Sequence, residues 1–353
     1  MSTLLKKILK LHLHPETGSP YWLDKQRELG FSICKRIQSL DDLQELGPFD
    51  LQELIERPFT DFIPKAVLNR DGLITGETGG ATGAPKTTAY FEDEFHAAFV
   101  EPFLSVSNGE SAFNNGYWLW LGPGGPHIIG KAARQIAQNT TGCDVFSVDF
   151  DPRWYRALTQ GTIARKRYLE HLVEQATQII RQQNIRYMFS TPVMLVELIS
   201  VMQEEQRQAI EFIYLGGMSV AAATMNELGE AFPNAQLLSG YGNTLFGVSH
   251  ELAPHRPDNQ LPVYFPPAER IGIRVVSMDE DKTDSERLRR VVAFDERGQI
   301  VMHRLDQSCF LANVMERDSG IRVAAASNGN NRDGIKDPQP IQTKQFIVEN
   351  GIY

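Results

Sequence analysis

Residues 75–88 read T-G-E-T-G-G-A-T-G-A-P-K-T-T, a combination found nowhere else in the chain. Gly76, Gly79, Gly80 and Gly83 let the backbone take positive φ and approach a ligand closely. Thr75, Thr78 and Thr82 add hydroxyls, and Lys86 ends the stretch with a positive charge. Successive amide N–H groups in such a loop form a concave anion site, whose natural guest is a phosphate chain. A Walker A loop is a poor match, because that motif needs Gly-Lys-Ser/Thr opening a helix. Here Pro85 precedes Lys86, the residue before a proline avoids the helical region, and Thr87, Thr88 and Tyr90 favour a strand. The loop is therefore expected to run into a strand. The plainer alternative is a mobile surface loop, which leaves the threonines and the lysine without a purpose.

Working outward, 353 residues with 42% hydrophobic and 22% charged content are ample for a buried core, in one large domain or in two to three subdomains. A net charge of −9 disfavours a nucleic-acid surface. Cys34, Cys143 and Cys309 are odd in number and far apart, suggesting neither a disulfide frame nor a zinc site. The most apolar run, 188–202, contains Pro192 and Glu197 and is too short to span a bilayer. A cytoplasmic protein with no membrane partner is expected. His12 and His14 alternate with leucines near the N-terminus and read as solvated side chains on a terminal helix.

Leucines recurring through 41–58 suggest short packing helices leading to the loop. After it, Phe91, Phe95, Ala98, Phe99 and Phe103 fall at helical spacing and read as core. A buried strand at 117–121 runs into G-P-G-G-P-H, a turn that misses the Rossmann pattern but delivers His127 to the end of a strand, or to the cap of the next helix. Then come a helix from Arg165, a strand at 185–189, a helix opened by Ser190-Thr191-Pro192, a strand at 210–215, Gly216-Gly217, a helix at 220–232 and a strand at 236–238. Such alternation implies a parallel sheet covered on both faces. Beyond Pro254 the texture is β-rich, with candidate strands at 270–278, 289–294, 298–302 and 308–314. The expected architecture is α/β: parallel-sheet subdomains over 1–250, then a smaller β-rich, barrel-like subdomain over 251–353.

Four segments, G-G-A-T-G-A-P-K at 79–86, S-T-P at 190–192, G-G-M at 216–218 and S-G-Y-G-N-T at 239–244, occur in the order seen in the adenylate-forming superfamily, which the chain resembles. Within it the segment ending at His127 resembles the phenylacetate-CoA ligase-like branch, and the chain's length and look resemble the adenylating proteins of phenazine-antibiotic biosynthesis. The resemblance implies the large-domain fold of that superfamily and an enzyme that joins ATP to a carboxylic acid, an aromatic one in that branch, with Mg²⁺. Phosphates would lie on Gly79, Gly80, Thr82, Gly83 and Lys86, the adenine along Gly216, Gly217 and Met218 with Tyr241 stacked on it. Gly240 and Gly242 would let the backbone approach the α-phosphate, to which Thr244 donates, with Ser239 and Asn243 in the same nucleotide-binding segment. Asp318, in M-E-R-D at 315–318, would take the ribose hydroxyls, and His127, Gly216, Tyr241 and Phe246 would border the acid.

Two departures stand out. Leu245 occupies the place of a metal-holding glutamate, leaving Glu251 as the substitute. The hinge is reduced to Arg332-Asp333-Gly-Ile-Lys336-Asp337, with too few residues after it for the family's small C-terminal domain. The expected product is therefore an acyl-adenylate passed to a reductase or other acceptor. A CoA ligase, or an acid- and AMP-binding protein without turnover, are the alternatives; a homodimer is a further expectation. A kinase-like NTPase is weaker, because Pro85 spoils the Walker geometry.

Overall fold

In the computed structural model, which describes residues 3–80, 83–107, 112–216, 222–254, 261–325 and 332–341, thirteen strands form three sheets among the described residues. Thr82, Gly217 and Met218 lie outside the described residues. The glycine-rich stretch joins β1 (Leu73–Glu77) to β2 (Thr87–Phe91) as an antiparallel hairpin, so it does run into a strand.

The second sheet contains β3 (Tyr117–Gly122), β4 (Phe146–Asp149), β5 (Ile185–Ser190), β6 (Phe212–Leu215), β7 (Gln236–Asn243) and β8 (Gly247–His250) in the order β4-β3-β5-β6-β7-β8. All neighbours are parallel except β7 and β8. Alternate residues on a strand face opposite ways, and here the two faces differ in chemistry. Leu119, Leu121, Met188, Ile213 and Leu215 pack on the helices Ile163–Gln182, Pro192–Ile199 and Ala222–Ala231. Trp118, Trp120, Tyr187, Phe189, Phe212 and Tyr214 pack on Phe95, Phe99, Phe103 and the helix Ile128–Thr141. The phenylalanine stripe is core.

That stripe lies on a helical run interrupted by a π turn over His96–Val100. Pro102 lacks the N–H that would bond the Ala98 carbonyl. The freed carbonyl faces Gly247, where φ is 102° and a Cβ would stand 2.6 Å from it. Only a glycine turn there lets β8 lie against the helix.

The third sheet is antiparallel and forms a half-barrel of β9 (Val263–Tyr264), β10 (Ile271–Val276), β11 (Arg297–Leu305), β12 (Phe310–Val323) and β13 (Gly334–Pro340), ordered β10-β11-β12-β13-β9. Its inner side meets the first sixty residues: Leu5, Ile8, Trp22, Leu43 and Leu54 pack with Ile271, Ile300, Met302 and Leu311. Trp22 Nε1 donates to the Phe310 carbonyl at 2.9 Å. The molecule is thus α/β, with a parallel sheet and an antiparallel half-barrel.

Three expectations need correction. His12 is not solvated: it is fully buried, with Nδ1 on the Ser19 hydroxyl at 3.1 Å and Nε2 on the Asp306 carbonyl at 2.9 Å. Residues 289–294 form no strand, only an isolated bridge from Val291 to Val276 after the helix Asp284–Leu288. β7 does not stop at Leu238. It runs on through Asn243 because Gly240 and Gly242 admit close pairing with β8; a Cβ at Gly242 would meet the Gly247 carbonyl at 1.9 Å.

The three sheets meet at a buried charge cluster. Arg304 donates to the Thr88 hydroxyl (2.9 Å), the carbonyls of Ala89 (2.7 Å) and Leu245 (3.2 Å), the Ser308 hydroxyl (3.0 Å) and Asp306 (2.6 Å). Its guanidinium carbon lies 3.5 Å from the Tyr90 ring centroid. Arg270 grips the same Asp306 through Nε at 3.0 Å and through Nη2, and donates to the Phe246 carbonyl at 2.9 Å. Burial pushes the Asp306 carboxyl up, but the two arginines outweigh it and hold it below its usual range. Removing one member of such a cluster leaves the others charged and uncompensated. Asp306→Ala is expected to cost about 3–5 kcal/mol in urea denaturation; a loss within experimental error would show that the cluster is not what joins the sheets.

Candidate active site

The glycine hairpin is closed at its base by Thr78. Its Oγ1 accepts from the Lys86 N–H at 2.9 Å, and its own N–H donates to the Lys86 carbonyl at 3.0 Å. Gly80, at φ 67°, makes the turn that a side chain would strain. Cations hold the outer carbonyls: Lys131 Nζ donates to Thr75 O at 2.6 Å, and Arg156 donates to Gly79 O. Arg153 binds the Glu77 carboxylate at 2.7 Å and Thr78 O at 3.3 Å. Neither arginine was singled out from the sequence. The signal was D-P-R-W-Y-R at 151–156: Asp151 caps a short helix by accepting from the N–H groups of Arg153 and Trp154, placing two arginines three apart on one face.

His127 sits at the N-cap of Ile128–Thr141 without a side-chain capping bond. It bridges to Glu77, whose N–H donates to Pro126 O at 2.9 Å, so its turn is welded to β1. Gly76 permits this approach, since a Cβ there would stand 2.7 Å from Ile128 Cδ1. Burial, with help from Arg153, lowers the His127 pKa. The neutral ring offers hydrogen bonds rather than charge.

Opposite the hairpin, β7 and β12 bring Tyr241, Asn243, Glu316 and Asp318 together. Tyr241 donates to Asp318 Oδ2 at 3.0 Å, and Asn243 Nδ2 donates to Glu316 Oε1 at 2.9 Å. Lys86 lies within electrostatic range of this group: burial lowers its pKa, Arg317 adding to the effect and Glu316 opposing it. Burial raises the Asp318 carboxyl despite the Tyr241 bond, and pushes Glu316 up to about 7, with the Asp318 charge adding to the effect. Glu316 escaped the sequence reading, although a residue two before Asp318 on a strand shares its face. Tyr241 with Asp318 and Asn243 with Glu316, far apart in the chain, are thus paired across β7 and β12, and Lys86 acts electrostatically on Glu316.

The remaining residues stand around it. Thr244 starts the 243–246 turn, half-buried, with its carbonyl accepting from Tyr90 Oη at 2.9 Å. Gly216 donates to Ser190 O at 3.2 Å and lies against Phe189, while a Cβ at Gly240 would meet Tyr214 Oη at 3.0 Å. Ser239 is buried; its N–H and hydroxyl donate to Glu251 Oε1, the former at 3.1 Å and the latter at 2.5 Å. Phe246 is wholly buried in the half-barrel core, beneath the turn. Among the described residues no three His, Cys, Asp or Glu side chains are grouped to hold a metal ion, and one Glu251 oxygen is already engaged by Ser239. The donor set is not a ready Mg²⁺ cage. What it offers is a cation and main-chain amides for an anion, carboxylates for vicinal hydroxyls, and an aromatic ring.

No protein-family model matches the chain, and no curated protein matches it. Solved structures do. A 2-hydroxyisobutyryl-CoA ligase in an open conformation, in complex with 2-HIB-AMP and CoA, matches with a TM-score of 0.65 at 15% identity over 94% of this chain and 71% of that one. The same ligase in its thioesterification state matches at 0.64 and 16%, again over 94% of this chain but 65% of that one. An ATP-bound RpMatB-BxBclM chimera matches at 0.50 and 14% identity, over 74% of this chain and 46% of that one. The chain therefore spans about two thirds of the 2-hydroxyisobutyryl-CoA ligase's length and under half of the chimera's, and shares their fold, as the sequence resemblance to adenylate-forming enzymes led one to expect.

The raised Glu316 carboxyl carries a sign that can be checked. Between its ordinary 4.5 and about 7 the folded state keeps a proton that the unfolded chain releases, so this group's contribution to stability falls as pH rises through that window and is level above it. Glu316→Gln removes the titration. Its urea midpoint relative to wild type is expected to climb from pH 4.5 to 7 and then plateau; parallel pH profiles would contradict the assignment.

Proposed function

We propose that this chain activates a carboxylic acid by joining it to ATP, giving an acyl-adenylate and pyrophosphate. The observation that carries this reading is the Tyr241–Asp318 hydrogen bond across β7 and β12, with Lys86 at the end of the glycine hairpin in electrostatic range of the adjoining Glu316 and Arg317. A phosphate chain on one side and a nucleoside on the other fit that spacing of chemistry. The shared fold with ligases whose structures hold 2-HIB-AMP and ATP supports it.

In this reading an oxygen of the substrate carboxylate attacks the α-phosphorus in line. The new O–P bond forms as the bond to the β-phosphate bridging oxygen breaks, and pyrophosphate leaves with the electron pair. No proton needs to move, so positioning and charge stabilisation carry the catalysis. Lys86 and the amides of Gly79, Gly80 and Gly83 hold the β- and γ-phosphates, and Thr244 donates to the α-phosphate. Asp318 takes the ribose hydroxyls, while Tyr241 faces the adenine, with Gly216 to Met218 along its edge. Gly240 and Gly242 keep the strand bare, and Ser239 and Asn243 brace it. Mg²⁺ arrives bound to the ATP phosphates, and no step is routed through a protein-held ion. Arg153 and Arg156 brace the loop from outside.

The acid enters between His127 and Gly216, beside Tyr241, with Phe246 acting from beneath rather than by contact. The Phe189 and Tyr214 rings are buried beneath Gly216 and Gly240, and an aromatic acid, including the phenazine type, is proposed from the sequence resemblance alone. CoA or a downstream reductase would then take the acyl group. A second reading, an acid- or AMP-binding protein without turnover, is favoured by Leu245, which is buried where a metal-holding glutamate is expected.

Pyrophosphate exchange with a panel of aromatic acids separates the two. Turnover, with acyl-adenylate detected by mass spectrometry, is expected from wild type, and Lys86→Ala should lose about 10²-fold in rate. Unchanged exchange in the variant sinks the loop assignment. Calorimetric binding of acid or AMP with no exchange supports the binding protein.

A further inference from the structure

The two arginines beside the glycine hairpin act on consecutive peptide units. Arg153 and Arg156 stand three apart on the short helix Pro152–Ala157. Arg153 Nη2 donates to the Thr78 carbonyl at 3.3 Å and to the Glu77 carboxylate at 2.7 Å, while Arg156 Nη2 donates to the Gly79 carbonyl. Two successive carbonyls of the loop thus face one helix. Like charges at this spacing repel. Burial lowers the Arg156 pKa, and Arg153 adds to the effect. An arrangement with that cost needs acceptors, and the loop carbonyls supply them.

The consequence lies on the other side of the loop. Among the described residues no peptide bond is cis. In a trans peptide the C=O and the N–H of the next residue point in opposite directions. A Thr78 carbonyl turned to Arg153 therefore aims the Gly79 N–H away from the helix, and a Gly79 carbonyl turned to Arg156 does the same for the Gly80 N–H. Gly80, at φ 67°, has the left-handed conformation in which successive N–H groups form an anion-binding nest. Neither N–H donates to an acceptor among the described residues, and both glycines are half-buried rather than sealed in the core. A cation on each carbonyl also polarises the peptide, which makes its N–H a stronger donor.

We propose that Arg153 and Arg156 are positioning residues for the phosphate chain: through the Thr78 and Gly79 carbonyls they orient and strengthen the Gly79 and Gly80 N–H groups, which together take one phosphate oxygen. This rests on the hairpin as the phosphate site. It goes further in making that site preformed, and in assigning its geometry to side chains that do not touch the anion. Asp151, accepting from the Arg153 and Trp154 N–H groups, caps the helix that carries both arginines.

The test is calorimetry of the full chain with inorganic pyrophosphate, in the absence of acid and nucleotide. Wild type should bind it. Arg156→Gln should weaken binding about tenfold, the scale of one hydrogen bond. Arg156→Lys still offers the carbonyl a charged donor and should recover most of the loss. The deficit of Arg156→Gln should persist in about 1 M salt, where exposed charges act over only ~3 Å. In amide proton spectra of the ligand-free protein, the Gly80 signal should move upfield in Arg156→Gln and return in Arg156→Lys. Arg153→Gln, acting through Thr78, should move the Gly79 signal in the same way. Equal pyrophosphate affinity in wild type and Arg156→Gln, a deficit that salt abolishes, unmoved glycine signals, or no pyrophosphate binding by wild type overturns the inference. Arginine-dependent pyrophosphate binding without acid-dependent exchange upholds it and removes the adenylation reading instead.

Discussion

Burying a guanidinium beneath a tyrosine ring is costly unless every donor finds an acceptor, and Arg304 solves this by drawing acceptors from three parts of the chain. Its partners include the second strand of the glycine hairpin, the turn after β7, and the Asp306–Ser308 corner that leads into β12. Two of those segments carry a residue of the candidate site within two positions, Lys86 and Thr244, and the third leads into the strand that carries Asp318. Tyr90, packed on the same guanidinium, donates to the Thr244 carbonyl, which couples hairpin to turn a second time. Glu94 adds a third tie, accepting from the N–H groups of Phe91, Gln307 and Ser308. The hairpin is held at its root by buried charge, while its tip is built from glycine.

The site therefore lies where a parallel sheet gives way to an antiparallel one. β7 leaves the parallel sheet and pairs with β8, and His250 at the end of β8 bridges to Phe265 at the margin of the half-barrel. Crowding at this junction has electrostatic consequences. Two half-buried carboxyls are pushed up and a lysine is pushed down within one small group. Burial does most of this, with the Asp318 charge adding to the shift of Glu316 and Arg317 adding to that of Lys86.

Much of the scaffold was legible along the chain. Strand-helix alternation implied the parallel sheet, phenylalanine spacing marked a core helix, and Pro85 announced that the loop would end in a strand. These readings succeed because periodicity and proline geometry are local. The misreadings share the opposite cause. His12 resembled a surface residue, since its partner at Asp306 lies 294 positions away. Residues 289–294 have strand composition but only one bridging neighbour. β7 continued past Leu238 because two glycines, read as a loop, instead admit a closely paired hairpin.

By itself the sequence determined that a glycine- and threonine-rich turn with a lysine exists, that it abuts a strand, and that an aspartate and an aromatic follow in glycine-bordered segments. Those properties depend on residue type and near neighbours. Only the tertiary structure decided that Lys86 comes within electrostatic range of Glu316 and Arg317, and that Arg153 and Arg156 brace the loop. Charge interactions and burial act through space, between residues that chain order keeps apart, and so they appear only when the backbone has closed.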